Sequence, residues 1–516
     1  MKTQNHFVHL ASLLFIFTLH AAASANAAGI SPCTSPNGNI FNLEPRPNAV
    51  VQAALSVAFL PNRAGAGLDL VLATATDQRG LEGTADDFYV QRSTENCAVD
   101  LEGGLPGISN ESGNFSPSGT PIAVTDPAHD GFFIADVRFS TAPDLNGVGI
   151  VKATSANLLD TTNCPAGTQT TGSAGCFTTG SVFNITSVNN LLVDPNLAVD
   201  QRTSGTGAGD VYTVVTETLA KNGFGDTSIS LMACTNANLD CSNNILISGA
   251  DAEAQFAWVQ VRPDGVITVS YVNANSLAPT SEEVKFVTCT PNGAPKAPTC
   301  GAPVLIATET YLRRIGQTRL QDFMMPKHAH RLESSGTFTT FLVYDRCEVP
   351  LVELSKADFA IASCPKTDVV LTSSTDGGQT WSPIAKATDS PFQQFFSAIA
   401  TDSSTGTVNI AYYSTQNDVT FQTRPQVFLA QITPGTTLVG TPNLLTSASI
   451  YPNTAAVIPT QFQPAGLGDR IGLAAGGTGT AGQSHAYVGF TWNSVFGKYN
   501  GMALPDMNNH LTFLQY

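Results

Sequence analysis

The sequence predicts an all-β protein folded as a single β-propeller of seven blades, each made of four antiparallel strands, with six as the alternative blade count. Short runs of alternating apolar residues recur along the chain, each followed by a Gly- or Asp-containing turn and a further β-rich run. The runs open about 60 to 80 residues apart. No amphipathic helical pattern lies between them. One four-stranded sheet cannot cover both of its faces, so the units must pack on one another, and radial closure buries those faces while leaving few open edges. Separate sandwich domains would need Pro/Ser-rich linkers, and the chain has none.

Taken in order, residues 1–27 read as a secretory signal peptide: one Lys, an apolar run from Phe7 to Leu19, then small residues ending in Ala25-Asn26-Ala27. Residues 28–48 form an N-terminal extension expected to be stapled to the first blade, and residues 49–516 form the propeller. Its seven units open at "AALSVAFLPN" (Ala53), "FFIADVRFS" (Phe132), "NLAVDQRTS" (Asn196), "FAWVQVRPDG" (Phe256), "HAHRLESSG" (His328), "FSAIATDSSTG" (Phe396) and "LGDRIGLAAGG" (Leu467). Second strands such as "VITVSYV" and "VNIAYYS" follow the hairpins.

Composition narrows the function classes. Of the 516 residues, 42% are hydrophobic and 12% charged, with 44 Gly and 30 Pro, as in a turn-rich globular protein rather than a disordered one. A net charge of −16 argues against nucleic acid or an anionic membrane as partner, since both need clustered Lys and Arg. No later segment is apolar for long enough to span a bilayer. Ten cysteines fit an oxidising compartment, and the absence of any C-x-x-C pair argues against a metal site. The expected protein is secreted, periplasmic or extracellular, monomeric, and free of cofactors. Calcium at the acidic turns around Asp86, Asp87 and Asp144 is the one metal considered, and neither turn has the ligand-rich spacing of a known loop.

The segment Ser374-Thr375-Asp376-Gly377-Gly378-Gln379-Thr380-Trp381 matches the pattern S-x-D-x-G-x-T-W. It resembles the Asp box, or BNR repeat, of sialidase-like propellers. The key positions are Ser374, Asp376, Gly378, Thr380 and Trp381. In that family the box is a peripheral turn, so the resemblance implies fold and not an active site. Asp376 is expected to accept hydrogen bonds from the backbone that follows it, and Trp381 to insert between sheets. Cysteines bracket turns at equivalent points of other units, which gives Cys164–Cys176, Cys234–Cys241 and Cys289–Cys300 as cross-hairpin disulfides. The remaining expected pairs are Cys33–Cys97, which would fasten the N-terminal extension, and Cys347–Cys364.

The resemblance also implies a sialidase constellation: three arginines on a carboxylate, a Tyr activated by a Glu, and an Asp as acid/base. The family's N-terminal F/Y-R-I-P stretch is missing, and neither Arg46 nor Arg63 stands in its context. Arg346, Arg424 and Arg470 show no recognisable spacing. The pairs Asp77/Arg79, Asp200/Arg202, Asp345/Arg346 and Asp469/Arg470 recur at strand ends, which favours ion pairs between blades. The most unusual segment is "FMMPKHAHRLESSGTFTTFLVYDRC", where His328 and His330 share one face of a predicted inner strand and Arg331 and Glu333 share the other. Two such histidines could bind a metal or serve as acid/base in a polysaccharide lyase. The candidate catalytic residues are therefore His328, His330, Tyr344, Asp345, Arg346 and Arg470. The leading expectation is recognition or cleavage of an extracellular glycan at the channel mouth. The alternative is a non-catalytic propeller that binds a protein partner as an adhesion or assembly scaffold.

Overall fold

The computed structural model describes residues 41–42, 51–65, 68–78, 85–91, 101–141, 144–164, 174–187, 190–219, 227–274, 281–310, 324–348, 364, 366–420, 424–446, 470–477, 484–499 and 502–516. They form a seven-bladed β-propeller. The first blade runs from the inner strand Val51–Gly65 through Leu68–Gln78 and Ala85–Gln91 to Leu101–Gly104. The second comprises Gly113–Asp126, Gly131–Thr141, Asp144–Thr154 and Thr179–Ser187, and the third Asn190–Val199, Val211–Leu219, Thr227–Cys234 and Ile245–Leu246. The fourth contains Ala254–Val261, Ile267–Ala274, Ser281–Thr290 and Thr299–Cys300, with Val304–Thr310 added on the third of these. The fifth contains Lys327–Leu332, Phe338–Cys347, Thr367–Ser374 and Ala385–Lys386, and the sixth Gln394–Asp402, Thr407–Ser414, Gln426–Ile432 and Asn443–Leu444.

The seventh blade closes the ring. Gly472–Gly477, Ser484–Tyr499 and Met502–Gln515 pair in sequence, and Phe41–Asn42 adds antiparallel to the last of them, Phe41 opposite Leu511 and Asn42 opposite His510. Residues 41–42 thus pair with the last strand of the seventh blade through backbone hydrogen bonds that an open sheet edge would leave unmade. The Cys33–Cys97 pair lies outside the described residues.

Why the ring holds follows from where the apolar residues fall. Each blade interface carries its own buried cluster. Phe341, Val343 and Val369 of the fifth blade meet Ile399, Val408, Ile410 and Tyr412 of the sixth, while Leu55, Val57 and Phe59 of the first meet Tyr487, Leu511 and Phe513 of the seventh. Both faces of a blade are covered, so middle strands read as nearly unbroken apolar runs: every residue of Thr407–Ser414 is buried. Burial of one such Val, Leu, Ile or Phe contributes roughly 1.5–3 kcal/mol.

A recurring irregularity sits in the inner strands. Those of the first, second, third, fourth and sixth blades each contain a bulge. At it, Thr120, Asp194, Phe256 and Phe396 adopt left-handed backbone, with φ of 54°, 50°, 55° and 53°. Side chains of the preceding blade receive the backbone N–H groups at or beside the bulge. Ser56 Oγ accepts from Ala123 N at 3.1 Å, Asn146 Oδ1 from Leu192 N at 3.0 Å, and Asn196 Oδ1 from Val259 N at 3.0 Å. Asp345 accepts from Phe396 N at 2.6 Å and Ser397 N at 3.2 Å. Without these acceptors the displaced N–H groups would be buried unpaired.

One expectation is corrected. The second unit does not open at Phe132: its inner strand is Gly113–Asp126, and Gly131–Thr141 is its second strand. Gly113, Pro117, Gly119 and Pro121 hide the inner strand from a propensity reading, and its ladder shifts register on both sides of Gly119. Helix among the described residues is confined to two short pieces, in keeping with the all-β expectation. Ser155–Leu159 forms one α-turn capped by Thr154 and Asn157, and Ala174–Cys176 a 3₁₀ turn, both inside the outer hairpin that Cys164–Cys176 closes.

Candidate functional site

The inner strands and the segments leading into them converge on a pocket at one mouth of the channel. It is lined by Asp194, Pro195 and Asn196 of the third blade, Phe256, Ala257 and Trp258 of the fourth, Met325, Pro326 and Lys327 of the fifth, and Arg470 before the seventh. The bulges create it, because an extra residue in an inner strand re-aims the side chains around it, and Asp194 and Phe256 are both bulge residues. Arg470 Nη2 donates to Asp194 Oδ1 at 2.5 Å, joining blades that are not neighbours in the ring. The ammonium of Lys327 lies 5.6 Å from the centre of the Trp258 ring, and Trp258 Nε1 donates to His328 O at 3.2 Å. Lys327 and Arg470 are buried, whereas Asp194, Phe256 and Trp258 are partly exposed. The pocket therefore combines two cations, one carboxylate and two aromatic faces. Two cations at one site favour an anionic group, and the Lys327 ammonium already lies over the Trp258 ring.

Of the candidates read from the sequence, Arg470 lines this pocket. His328 and His330 face the fourth blade rather than the channel. His328 is fully buried, with Nδ1 2.8 Å from Ser270 Oγ and Nε2 2.8 Å from Thr268 Oγ1. His330 Nε2 is 2.8 Å from the same Thr268 hydroxyl, and its Nδ1 is 3.0 Å from Thr340 Oγ1. Burial holds both imidazoles neutral, pushing His330 down to about 3 with help from the Arg262 charge, and His328 well below the usual range with help from His330. Arg331, on the opposite parity, reaches the sixth blade through Thr433 O and Thr436 O and pairs with Glu333.

Tyr344, Asp345 and Arg346 occupy the end of the second strand of the fifth blade. Tyr344 donates to Glu309 Oε1 at 2.6 Å, and Arg346 approaches the same carboxylate at 3.9 Å. Burial and the Glu309 charge push the Tyr344 phenol up, so it keeps its proton. The Asp345 carboxylate is engaged by the bulge of the sixth blade. The six candidates therefore stand in separate networks: the histidines on Thr268 and Ser270, the Tyr344–Glu309–Arg346 group, Asp345 on the bulge, and Arg470 on Asp194. Asp194, Phe256, Trp258 and Lys327 are pocket residues that the sequence reading did not select. Asp194-Pro195, directly before the third opening, was the one local sign of a break in the strand.

The Asp200/Arg202 pair bridges blades, since Arg202 holds Asp200 at 2.6 Å and donates to Asp264 O of the fourth blade at 2.9 Å. Arg63 pairs with Asp130 and Arg424 with Asp418. Arg46, Arg79, Asp469 and the side chains of Asp77, Asp86 and Asp87 lie outside the described residues, and Asp144 is exposed. Among the described residues no group of three or more His, Cys, Asp or Glu side chains is placed to hold a metal ion, and no helix is long and apolar enough to cross a membrane.

The Ser374–Trp381 turn sits on the outer hairpin of the fifth blade, between its third and fourth strands, and none of its residues lines the pocket. Asp376 accepts from Gln379 N and Thr380 N at 3.0 Å and from the Ser374 and Thr380 hydroxyls; these bonds hold its carboxyl down at about 2. Gly378 has φ 92°, and a Cβ there would meet the Phe286 ring of the fourth blade at 2.4 Å. Trp381 packs edge-on to that ring at 5.1 Å. Disulfides Cys164–Cys176, Cys234–Cys241 and Cys289–Cys300 close the corresponding outer turns of the second, third and fourth blades, and Cys347–Cys364 spans the second and third strands of the fifth.

The fold and pocket define a disulfide-bearing, seven-bladed propeller with a cationic, aromatic channel mouth. The chain matches no protein-family model and no curated protein sequence. It is similar in fold to solved structures of glycan-active enzymes. One is the Hadza microbial sialidase Hz136, at 10% identity and a TM-score of 0.42, covering 88% of this chain and 75% of that one. Another is the polysaccharide lyase Uly1, at 12% identity and a TM-score of 0.42, covering 86% and 88%. A third is a mutant Trypanosoma rangeli sialidase, at 9% identity and a TM-score of 0.39, covering 79% and 56%. These likenesses concern the fold alone.

Proposed function

We propose that this is an exported propeller that recognises an acidic extracellular glycan at the channel mouth. The observation that carries the reading is the meeting of Lys327 and Arg470 with the faces of Phe256 and Trp258 in one pocket. Sugars present an apolar C–H face suited to aromatic stacking, and a uronate or sialate adds a carboxylate suited to Arg and Lys. The reading is recognition rather than turnover. His328, His330 and Asp345 are already engaged by neighbouring blades, and the Tyr344 phenol is held neutral beside Glu309. Export is supported by the N-terminal pattern of residues 1–27 and by four disulfides.

The test is binding of purified residues 28–516 to a panel of sialosides, uronate oligosaccharides and neutral oligosaccharides, with reducing ends and unsaturated products scored in parallel. Acidic saccharides bind, Trp258→Ala weakens them at least about tenfold, and no product forms. Product formation sinks the non-catalytic part of the reading. Absence of binding to every saccharide sinks the whole reading in favour of a protein-binding scaffold.

A further inference from the structure

Arg470 is the pocket's guanidinium, and it is already engaged. Its partner Asp194 comes from the third blade while Arg470 precedes the seventh, so the 2.5 Å contact bridges non-adjacent blades across the channel mouth. The pair is largely withdrawn from water, with 9% of the arginine side chain and 17% of the aspartate exposed, and attraction at that burial is far less screened than on a surface. Asp194 is also held where few residues go. It is the left-handed residue of its bulge at φ 50°, a conformation that Asp and Asn tolerate far better than most side chains.

We propose that Asp194 is the specificity-determining residue of the pocket: an internal carboxylate that occupies the anion seat on Arg470, so that an acidic saccharide enters only by displacing it. This rests on the glycan reading above and deepens it. A ligand carboxylate and Asp194 compete for one guanidinium, and after displacement the aspartate charge stays close by and opposes the ligand. A neutral saccharide stacked on Trp258 meets no such competition. The seat therefore filters anions by affinity: weakly held monoanions are excluded, and ligands that add stacking on Trp258 or a second anionic group for Lys327 are admitted.

Asp194→Asn separates charge from backbone, because Asn keeps the left-handed bulge and removes the competing carboxylate. Glucuronate-terminated oligosaccharides and their neutral glucose counterparts are titrated against wild type and variant. The expected result is about tenfold tighter binding of the acidic ligand to Asp194→Asn, a gain that the neutral counterpart does not match. Unchanged or weaker acidic binding overturns the proposal and leaves the pair as a brace between blades. Iodide quenching of tryptophan fluorescence is a second readout that needs no saccharide. Removing Asp194's charge lets the anion reach Trp258 and steepens the quenching slope. If neither protein binds any acidic saccharide, the glycan reading fails, and the quenching alone decides this one: a steeper slope in the variant upholds it and an equal slope refutes it.

Discussion

Asp345 separates the catalytic expectation from the architecture most sharply. Its carboxylate is 3% exposed and accepts the backbone N–H groups of Phe396 and Ser397, which the left-handed bulge of the sixth blade turns toward the fifth. Asp345→Ala leaves these two donors buried without that acceptor, at about 1–3 kcal/mol each. The unfolding entropy of a cooperative unit of this length is about 1 kcal/mol per K, so a loss of about 2–6 kcal/mol lowers the melting midpoint by about 2–6 °C. Asp345→Asn keeps one acceptor and loses about half as much. Melting followed by circular dichroism measures the shift, and saccharide binding well below the midpoint measures function. A variant with an unshifted midpoint and abolished binding or turnover refutes the assignment of Asp345 to the blade interface.

Gly149→Ala should be among the most damaging single-methyl changes, since its Cβ would fall 1.9 Å from Arg138 Nε and disrupt the fully buried Arg138–Asp136 pair; urea unfolding should show a loss of at least about 3 kcal/mol. His328 and His330 have native pKa values depressed below the unfolded value near 6.5. The stability tied to their neutral forms is therefore complete above about pH 6.5 and is lost as pH falls toward the His330 value of about 3, by about 1.4 kcal/mol per pH unit for each histidine. His330→Gln should flatten the fall in stability between pH 6 and 4 by that amount, as read by chemical denaturation at each pH. Trp381→Ala should cost about 2 kcal/mol through lost packing on Phe286 while leaving saccharide affinity unchanged; an affinity loss would place the indole in the ligand site.

Much of the architecture is legible in the residues because it depends on local rules. Alternation over seven or eight residues specifies a strand, Gly and Asp specify a hairpin, and turn-spanning cysteines specify a bridge that closes a short loop, as at Cys234–Cys241. Where a strand violates those rules, as Gly113–Asp126 does with two prolines and a bulge, the pattern disappears and only its pairing with Gly131–Thr141 reveals it. The pocket was less legible for a related reason. Its residues lie far apart in sequence, from Asp194 to Arg470, and only ring closure puts them at one mouth. Parity correctly placed His328 and His330 on one face of a strand, but parity does not say whether that face meets a channel or a neighbouring blade; Thr268 and Ser270 answer that.

The sequence by itself determined a β-propeller of repeated four-stranded units, with seven blades favoured over six, the turn chemistry of Ser374–Trp381 and four of the cysteine pairs seen across its turns. The turn and the disulfides follow from contacts spanning a few to about twenty residues, and the ring from repetition of a unit that cannot cover its own faces. Tertiary structure alone decided which polar side chains are consumed by the ring and which reach the pocket. A carboxylate such as Asp345 or Asp194 has the same intrinsic chemistry in the sequence. What distinguishes them is whether the adjoining blade offers a backbone N–H or the channel offers an arginine, and only the closed ring sets that neighbour.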